Sequence, residues 1–376
     1  VTTVLVNLLW LVPGVVGGSE ESTTDALRAL ADTDDGTGPD IRLAVLGPFP
    51  EAHPDLAERF RCEVLDLDGR DKVRRVLAEQ TWLARVARRL RARVVHHAGG
   101  VVPLVHPGRC VLTVHDLQPL DLPGNFSPAK RTYIRAMAGR SVRAARVVAV
   151  PSRFTRDRVV GLLGADPARV ELVPWSVRPP RPAPGSDAGP PPQVGDHPFL
   201  LYPAITYPHK NHLVLLDAFA ELAAVEPDLR LVLCGGEAAA EAAVRERMAR
   251  PDLAGRVIRT GRVPAPLLEA LYRGAVAVVV PSRYEGFGLP VLEAMVRGVP
   301  VIAADAGSLP EVARPEDLVP PDDVAGWAAA MRAAVRAGPA ERAARVAEGR
   351  RRAARFSPER TARSLRSTYR RAATDR

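Results

Sequence analysis

Val276–Ala304, VAVVVPSRYEGFGLPVLEAMVRGVPVIAA, is the stretch on which the fold turns. The apolar run 275–282 is continuous, not alternating, as a parallel strand covered on both faces requires. It stops at Pro281-Ser282. A loop with two glycines, Glu285-Gly286-Phe287-Gly288-Leu289, then leads to a helix opened by Pro290, a residue at home in a first turn. A second buried run, 299–305, follows Gly298. Strand, loop, helix and strand make a βαβ unit whose loop suits an anionic ligand rich in hydroxyls. Gly286 and Gly288 allow close backbone approach, and the helix N-terminus adds partial positive charge for a phosphate. Two carboxylates bracket the turn. Glu293, one turn into the helix, is placed to accept from the vicinal hydroxyls of a ribose, as acidic residues do in dinucleotide folds. Glu285, in the loop, is placed to accept from a sugar. A solvated helix start with two ordinary glutamates is the competing reading, and it leaves the paired glycines unexplained.

The same grammar extends in both directions. Upstream within the second half, strands are expected at 199–205, 229–236 and 256–261, with helical patterns between them. The first half opens with the strand TTVLVNLLW (2–10), a loop ending in Gly17-Gly18 and a helix over 19–31. Further strands are expected at 41–47, 62–67, 93–97, 110–116 and 146–152, with helices over 71–91 and 128–145. Between the halves, Ser176 to Pro198 holds eight prolines and forms neither sheet nor helix. The reading is an α/β chain of two Rossmann-like, doubly wound domains facing across a cleft. The domains are 1–178 and 199–355, with a proline-rich linker over 179–198. A closing helix within 356–376 is expected to return to the first domain.

Composition narrows the function classes. The chain has 376 residues, 47% of them hydrophobic and 25% charged, enough for two cores. Net charge is +9, an attraction for anions. Only Lys72, Lys130 and Lys210 are lysines among 52 basic residues, so each merits attention. Aromatic residues make up 5%, which speaks against single-strand stacking platforms, and no nucleic-acid recognition module is present. The three cysteines Cys62, Cys110 and Cys234 have no metal-ligand spacing and suit a reducing compartment. The opening VTTVLVNLLWLVPGVV has the apolarity of an export signal without its basic start, and no run is long enough to span a bilayer. The expectation is a cytoplasmic protein. The basic helical regions 71–93 and 125–146 suit peripheral contact with the inner face of an anionic membrane. Asp66-Leu67-Asp68 imitates a metal-binding Asp-x-Asp, but before Gly69 it reads as a turn.

EGFGLPVLE, with seven residues between its glutamates, resembles the signature of glycosyltransferase family 4, retaining enzymes of GT-B fold. The downstream GVPVIAADAGSLPEV, with Ser308 and Glu311, continues the pattern. The resemblance implies that Lys210, in YPAITYPHKNH, grips the donor diphosphate, and that the amides of Gly286, Phe287, Gly288 and Leu289 assist it. It places a glycine pair at Gly17 and Gly18, also against the diphosphate, and a His-Asp at His115-Asp116. His115 ends a strand where its imidazole meets substrate hydroxyls, and His96 and His97 shape the acceptor side with Asp116. Two departures stand out. The family arginine five residues before the lysine is Ile205 here, with Arg283 a candidate to replace it, and Val-Pro-Trp-Ser (173–176) stands where relatives have Asn-Gly.

The expected activity is retaining transfer of a hexose from a nucleoside-diphosphate sugar, without a metal or other cofactor, to a glycan, lipid-linked or small-molecule acceptor. Glu285, Lys210 and His115 are the expected catalytic residues. PHKN and HHAGG give a lean toward a GDP-mannose-like donor. The alternative is a catalytically silent nucleotide-sugar-binding or scaffolding protein of the same fold, for which Ile205 and the 173–176 stretch are the foothold.

Overall fold

The computed structural model describes residues 2–15, 17–125, 127–178 and 193–374. Its two compact units are Val1–Ser176 with Phe356–Arg376, and Val177–Arg355. Of the linker expected over 179–198, residues 179–192 lie outside the described residues.

The first unit is built on seven parallel strands: β1 (Thr3–Asn7), β2 (Asp40–Leu46), β3 (Arg61–Leu65), β4 (Val94–His97), β5 (Arg109–Thr113), β6 (Ala145–Val150) and β7 (Val170–Leu172). Their order is β3-β2-β1-β4-β5-β6-β7. Successive side chains of a strand point to opposite faces, so the sheet carries a core on each side. Val4 and Val6 pack under the C-terminal helix Pro358–Ala373 with Leu365 and Tyr369. Leu5 packs on the other face against Leu83, Val86 and Ala87 of the helix Lys72–Arg89.

The C-terminal helix belongs to this first core because of its own periodicity. Thr361, Leu365, Thr368, Tyr369 and Ala372 are buried at helical spacing while its arginines face outward. Ser357 accepts from the Arg360 amide at its start, and Pro358 occupies the first turn. Arg366 then bonds Leu30 O and Thr33 Oγ1 at the end of the helix Gly18–Asp32.

The second unit has six parallel strands: β8 (Phe199–Pro203), β9 (Arg230–Cys234), β10 (Val257–Gly261), β11 (Ala277–Val280), β12 (Val301–Ala304) and β13 (Leu318–Val319), ordered β10-β9-β8-β11-β12-β13. Val278, Val279 and Val280 are wholly buried, in keeping with a central strand covered on both faces. The expected strands are all present, most of them shorter at the carboxyl end than the apolar runs that announced them. There the chain leaves the ladder to form loops. β7 and β13 went unseen because three and two residues are too few to show a pattern.

Each sheet reverses its strand order once, between β1 and β4 and between β8 and β11. Such switch points open a crevice at the carboxyl ends of the strands, where open α/β sheets bind ligands.

Tyr369 is the hinge pin of the first core, fully buried with its hydroxyl 2.9 Å from His96 Nδ1. Tyr369→Ala is expected to cost about 3–5 kcal/mol of unfolding free energy, and Tyr369→Phe about 1 kcal/mol. Urea unfolding followed by circular dichroism measures both; an unchanged midpoint for the alanine variant contradicts the packing described.

Candidate functional site

At the switch point of the second sheet, the loops after β8 and β11 are stitched together. Tyr202, wholly buried at the end of β8, donates to Lys210 O at 2.8 Å and lies 3.0 Å from Ser282 Oγ. The Arg283 amide donates to His209 O at 2.8 Å. Asn211, at φ 60°, turns the chain sharply after Lys210 and anchors to Pro321 O. The result is a rigid mount for two side chains 75 residues apart: Lys210 Nζ lies 2.6 Å from Glu285 Oε1. Both are mostly buried, so the pair is screened less than a surface ion pair.

The glycine loop is held from the far side by Ser308, whose hydroxyl and amide donate to Glu285 O at 2.9 and 3.3 Å. Two glycines here are sterically required. Gly307, at φ 59°, would drive a Cβ to 2.9 Å from Glu285 N, and Gly288, at φ 103°, would drive one to 2.9 Å from Leu309 Cδ2. Gly288 is the N-cap of the helix Leu289–Val296 and no side chain caps it. Pro290 is the second helical residue, not the first. Phe287 buries its ring, so what it offers a ligand is backbone. Glu293 has a partner that the sequence did not announce: the buried Tyr272 hydroxyl donates to Glu293 Oε2 at 2.5 Å. Arg297 lies over the Tyr272 ring at 4.6 Å and donates to Glu293 O and to Glu269. The carboxylate is thus preset in direction.

Arg283, the candidate for the missing arginine's place, faces outward in the structure. Its guanidinium pairs with exposed Asp322 at 2.9 Å. Ile205 has a different basic neighbour, Arg262, whose Nε lies 3.0 Å and Ile205 Cγ1 3.7 Å from the point where a Cβ on Gly236 would stand.

In the first unit, Gly17 (φ 74°) is the N-cap of the helix Gly18–Asp32, with open space around it. Glu20, one turn in, accepts from the Gly14 amide and meets His53 Nε2 at 3.0 Å. His115 is enclosed by Trp10 and Trp175, ring centroids 5.6 and 5.4 Å away. Its Nε2 donates to Ala98 O at 2.7 Å while Nδ1 has no protein partner. Asp116 accepts from the Gln118 amide, a turn-forming bond. His96 engages both ring nitrogens, with Tyr369 and with Thr113 Oγ1 at 2.7 Å, so it offers none to an acceptor. His97 faces Asn7 at 3.4 Å, its Nε2 unpartnered. His96 and His115 border a cavity of about 40 Å³, room for a water or two and not for a hexose. The sequence assigns no site role to Trp10, Trp175 or Thr113; Trp10 closes the apolar run 2–10, and Trp175 lies in the 173–176 departure, two of only four tryptophans. Gly99 explains part of HHAGG: a Cβ there would strike the Trp10 ring at 2.5 Å.

Burial pulls His96 and His97 down to about 3 and His115 down to about 4, so all three are neutral when folded. Unfolded imidazoles titrate near 6.5. Below that pH the unfolded chain binds protons that the folded chain refuses. Stability is full above about pH 6.5 and falls toward pH 4, by up to about 1.4 kcal/mol per pH unit for each imidazole. Burial also holds His209 down to about 4 and His212 down to about 3 in the second unit. Urea midpoints measured from pH 7.5 to 4.5 are expected to fall, and His97→Gln to make the fall shallower by about a fifth of the imidazole share. An identical slope for the variant rejects this.

Among the described residues, no group of three or more His, Cys, Asp or Glu stands together as a metal site, and no helix is long and apolar enough to cross a membrane.

Residues 16–181 match the model of Glycosyltransferase Family 4, and residues 189–352 match that of Glycosyl transferases group 1. O-antigen chain mannosyltransferase B of Escherichia coli is 31% identical over 57% of this chain and 58% of its own. D-inositol 3-phosphate glycosyltransferase of Rhodococcus jostii is 32% identical over 72% of this chain and 61% of its own. The chain thus spans about three fifths of the length of these curated relatives. Among solved structures, Anabaena HepE in complex with UDP and glucose superposes with a TM-score of 0.73 at 17% identity, covering 98% of this chain and all of that one. With one such model on each half and this sheet topology, the chain belongs to the glycosyltransferases of family 4 type and has the GT-B fold.

Proposed function

We propose that this protein transfers a hexose from a nucleoside-diphosphate sugar to an acceptor hydroxyl with retention of the anomeric configuration and without a metal ion. The carrying observation is the Lys210–Glu285 pair, mounted at the switch point beside an uncapped helix N-terminus. When donor binds, the ammonium passes from Glu285 to the diphosphate, and the freed carboxylate accepts from the sugar. Backbone amides of the 286–289 loop stabilise the negative charge that develops on the leaving group. Glu293, aimed by Tyr272, takes the ribose hydroxyls. The bond from the anomeric carbon to the diphosphate oxygen breaks, the acceptor oxygen bonds on the same face, and its proton passes to the departing phosphate. The chain's task is orientation and electrostatics. In the first unit, Gly17 and Gly18 give a backbone approach to the phosphates. His115 Nδ1 reaches substrate through a water in its small cavity.

Relatives named for mannosyl transfer and for glycosyl transfer to inositol phosphate, and a neighbour holding UDP and glucose, support this class of donor. Our lean is a GDP-mannose-like donor and a glycan, lipid-linked or small-molecule acceptor. A silent binding protein is not favoured, since the second unit keeps the cation and both carboxylates that transfer needs.

The test is turnover of UDP-, GDP- and dTDP-hexoses with acceptor mixtures in EDTA, the product anomer read by NMR. Lys210→Ala and Glu293→Ala are expected to lower turnover about 100-fold or more, and Tyr272→Phe about 10-fold. Inversion, restoration only by Mn²⁺, or full activity in Lys210→Ala and Glu293→Ala overturns the reading.

We also propose peripheral contact with an anionic membrane. Val73 and Leu77 of the helix Lys72–Arg89, and Leu104, are each more than half exposed, and Tyr133 of the helix Pro128–Ala144 is exposed too. Gln80 accepts from the Val105 amide, and Arg140 donates to the carbonyls of 102–104, so the two helices and the loop form one surface. The second helix carries no acidic residue; the first carries only Glu79, which burial pushes up in pKa and Asn7 engages. Apolar tips within a basic field suit an anionic bilayer. Sedimentation with phosphatidylglycerol vesicles is expected, with loss of about 10-fold in Leu77→Glu and in the double variant Arg131→Glu, Arg135→Glu. Equal binding to phosphatidylcholine alone contradicts it.

A further inference from the structure

The diphosphate site proposed above is one cation short of the arginine and lysine that the resemblance implies. Lys210 is already paired with Glu285, and an isoleucine stands at 205. The carboxyl ends of β10, β9, β8 and β11 lie side by side in that order, so the loops after them share one rim. These loops are laced together: the Gly235 amide donates to Gly261 O at 2.8 Å, and the Thr206 amide to Gly236 O at 3.2 Å.

Three arginines belong to this rim. Arg259 is spent below it. Its guanidinium donates to Gly235 O at 2.8 Å, to Gly236 O at 3.0 Å and to Glu241, which also accepts from Thr206 at 2.8 Å. That arginine builds the rim and is 4% exposed. Arg283 leans out to Asp322. Arg262, the residue after β10, is exposed, and its guanidinium lies across Gly236 beside Ile205. A Cβ at 236 would meet Arg262 Nε at 3.0 Å and Nη2 at 3.7 Å, and Ile205 Cγ1 at 3.7 Å. The bare glycine is therefore what lets the guanidinium approach the β8 loop, from which Lys210 rises.

We propose that Arg262 is the second phosphate-binding cation of the donor site, reaching from the β10 loop the place that the resemblance gives to an arginine at 205. Two cations then enter from neighbouring strands: an ammonium from β8 and a planar guanidinium from β10, able to bond two phosphate oxygens at once. Ile205 is small enough to leave that path open. This inference rests on the donor-binding reading above and names a residue within that site.

Calorimetric titration of the full chain with UDP and GDP, beside uridine and guanosine, tests it. Arg262→Ala is expected to weaken the better diphosphate about 10- to 100-fold, with the matching nucleoside changed less than about 2-fold. Arg262→Lys falls between, since the charge stays and the fork is lost. Adding Ile205→Arg to Arg262→Ala is expected to restore most of the affinity. Unchanged diphosphate affinity in Arg262→Ala overturns the assignment and leaves the donor reading standing. Equal loss for nucleoside and diphosphate also overturns it, placing Arg262 at the base. A wild-type chain that binds neither diphosphate better than its nucleoside overturns the donor reading itself. Unfolding midpoints of the variants, expected at the wild-type value for an exposed residue, separate lost contact from lost fold.

Discussion

β8 and β11 are neighbours in the sheet yet 77 residues apart at their carboxyl ends, and the buried Tyr202 hydroxyl sits where they diverge. By holding Lys210 O and Ser282 together it fixes the spacing of two loops that would otherwise sample many conformations. The Lys210–Glu285 contact follows from that spacing. An ion pair of this kind is weak evidence for stability, because desolvation offsets most of the attraction. Under the proposed function, its value lies in holding opposite charges ready for a ligand that carries both phosphates and hydroxyls. The glycines at 288 and 307 serve the same end, since any side chain there would push the loop off Ser308 or Leu309.

The first unit solves a different problem. It places three imidazoles in or beside the carboxyl ends of β4 and β5 and keeps them neutral by burial. His96 becomes a bridge between the sheet and the C-terminal helix, through Thr113 on one side and Tyr369 on the other. The cost is a stability that leans on near-neutral pH. The gain is a floor for Trp10, His115 and Trp175 that does not depend on loop chemistry alone. The unusual Val-Pro-Trp-Ser stretch belongs here: Trp175 covers the His115 ring, and Pro174 O accepts from Thr361 of the last helix.

Much of this was legible along the chain. Continuous runs of valine, isoleucine and leucine mark strands buried on both faces, and glycine and proline mark where they end, because both signals are local. Glu285, Glu293 and the glycine loop could be read for the same reason, lying within nine residues of one another. Lys210 stood out by its rarity. Residues that act through partners far away in sequence were silent. Tyr272 gives no sign that it meets Glu293, nor Tyr369 that it meets His96. Arg283 stood as a candidate for the missing arginine, and nothing along the chain shows that its partner is Asp322.

What the sequence determined by itself, then, is the α/β class, the two sheets and the identity of the acidic and glycine turn, since periodicity and backbone preference operate over a few residues. Only the tertiary structure decided strand order, which loops share a rim, and which of several arginines stands beside Ile205. Those depend on parallel crossovers that bring residues tens of positions apart to within hydrogen-bonding reach, a distance that no local pattern encodes.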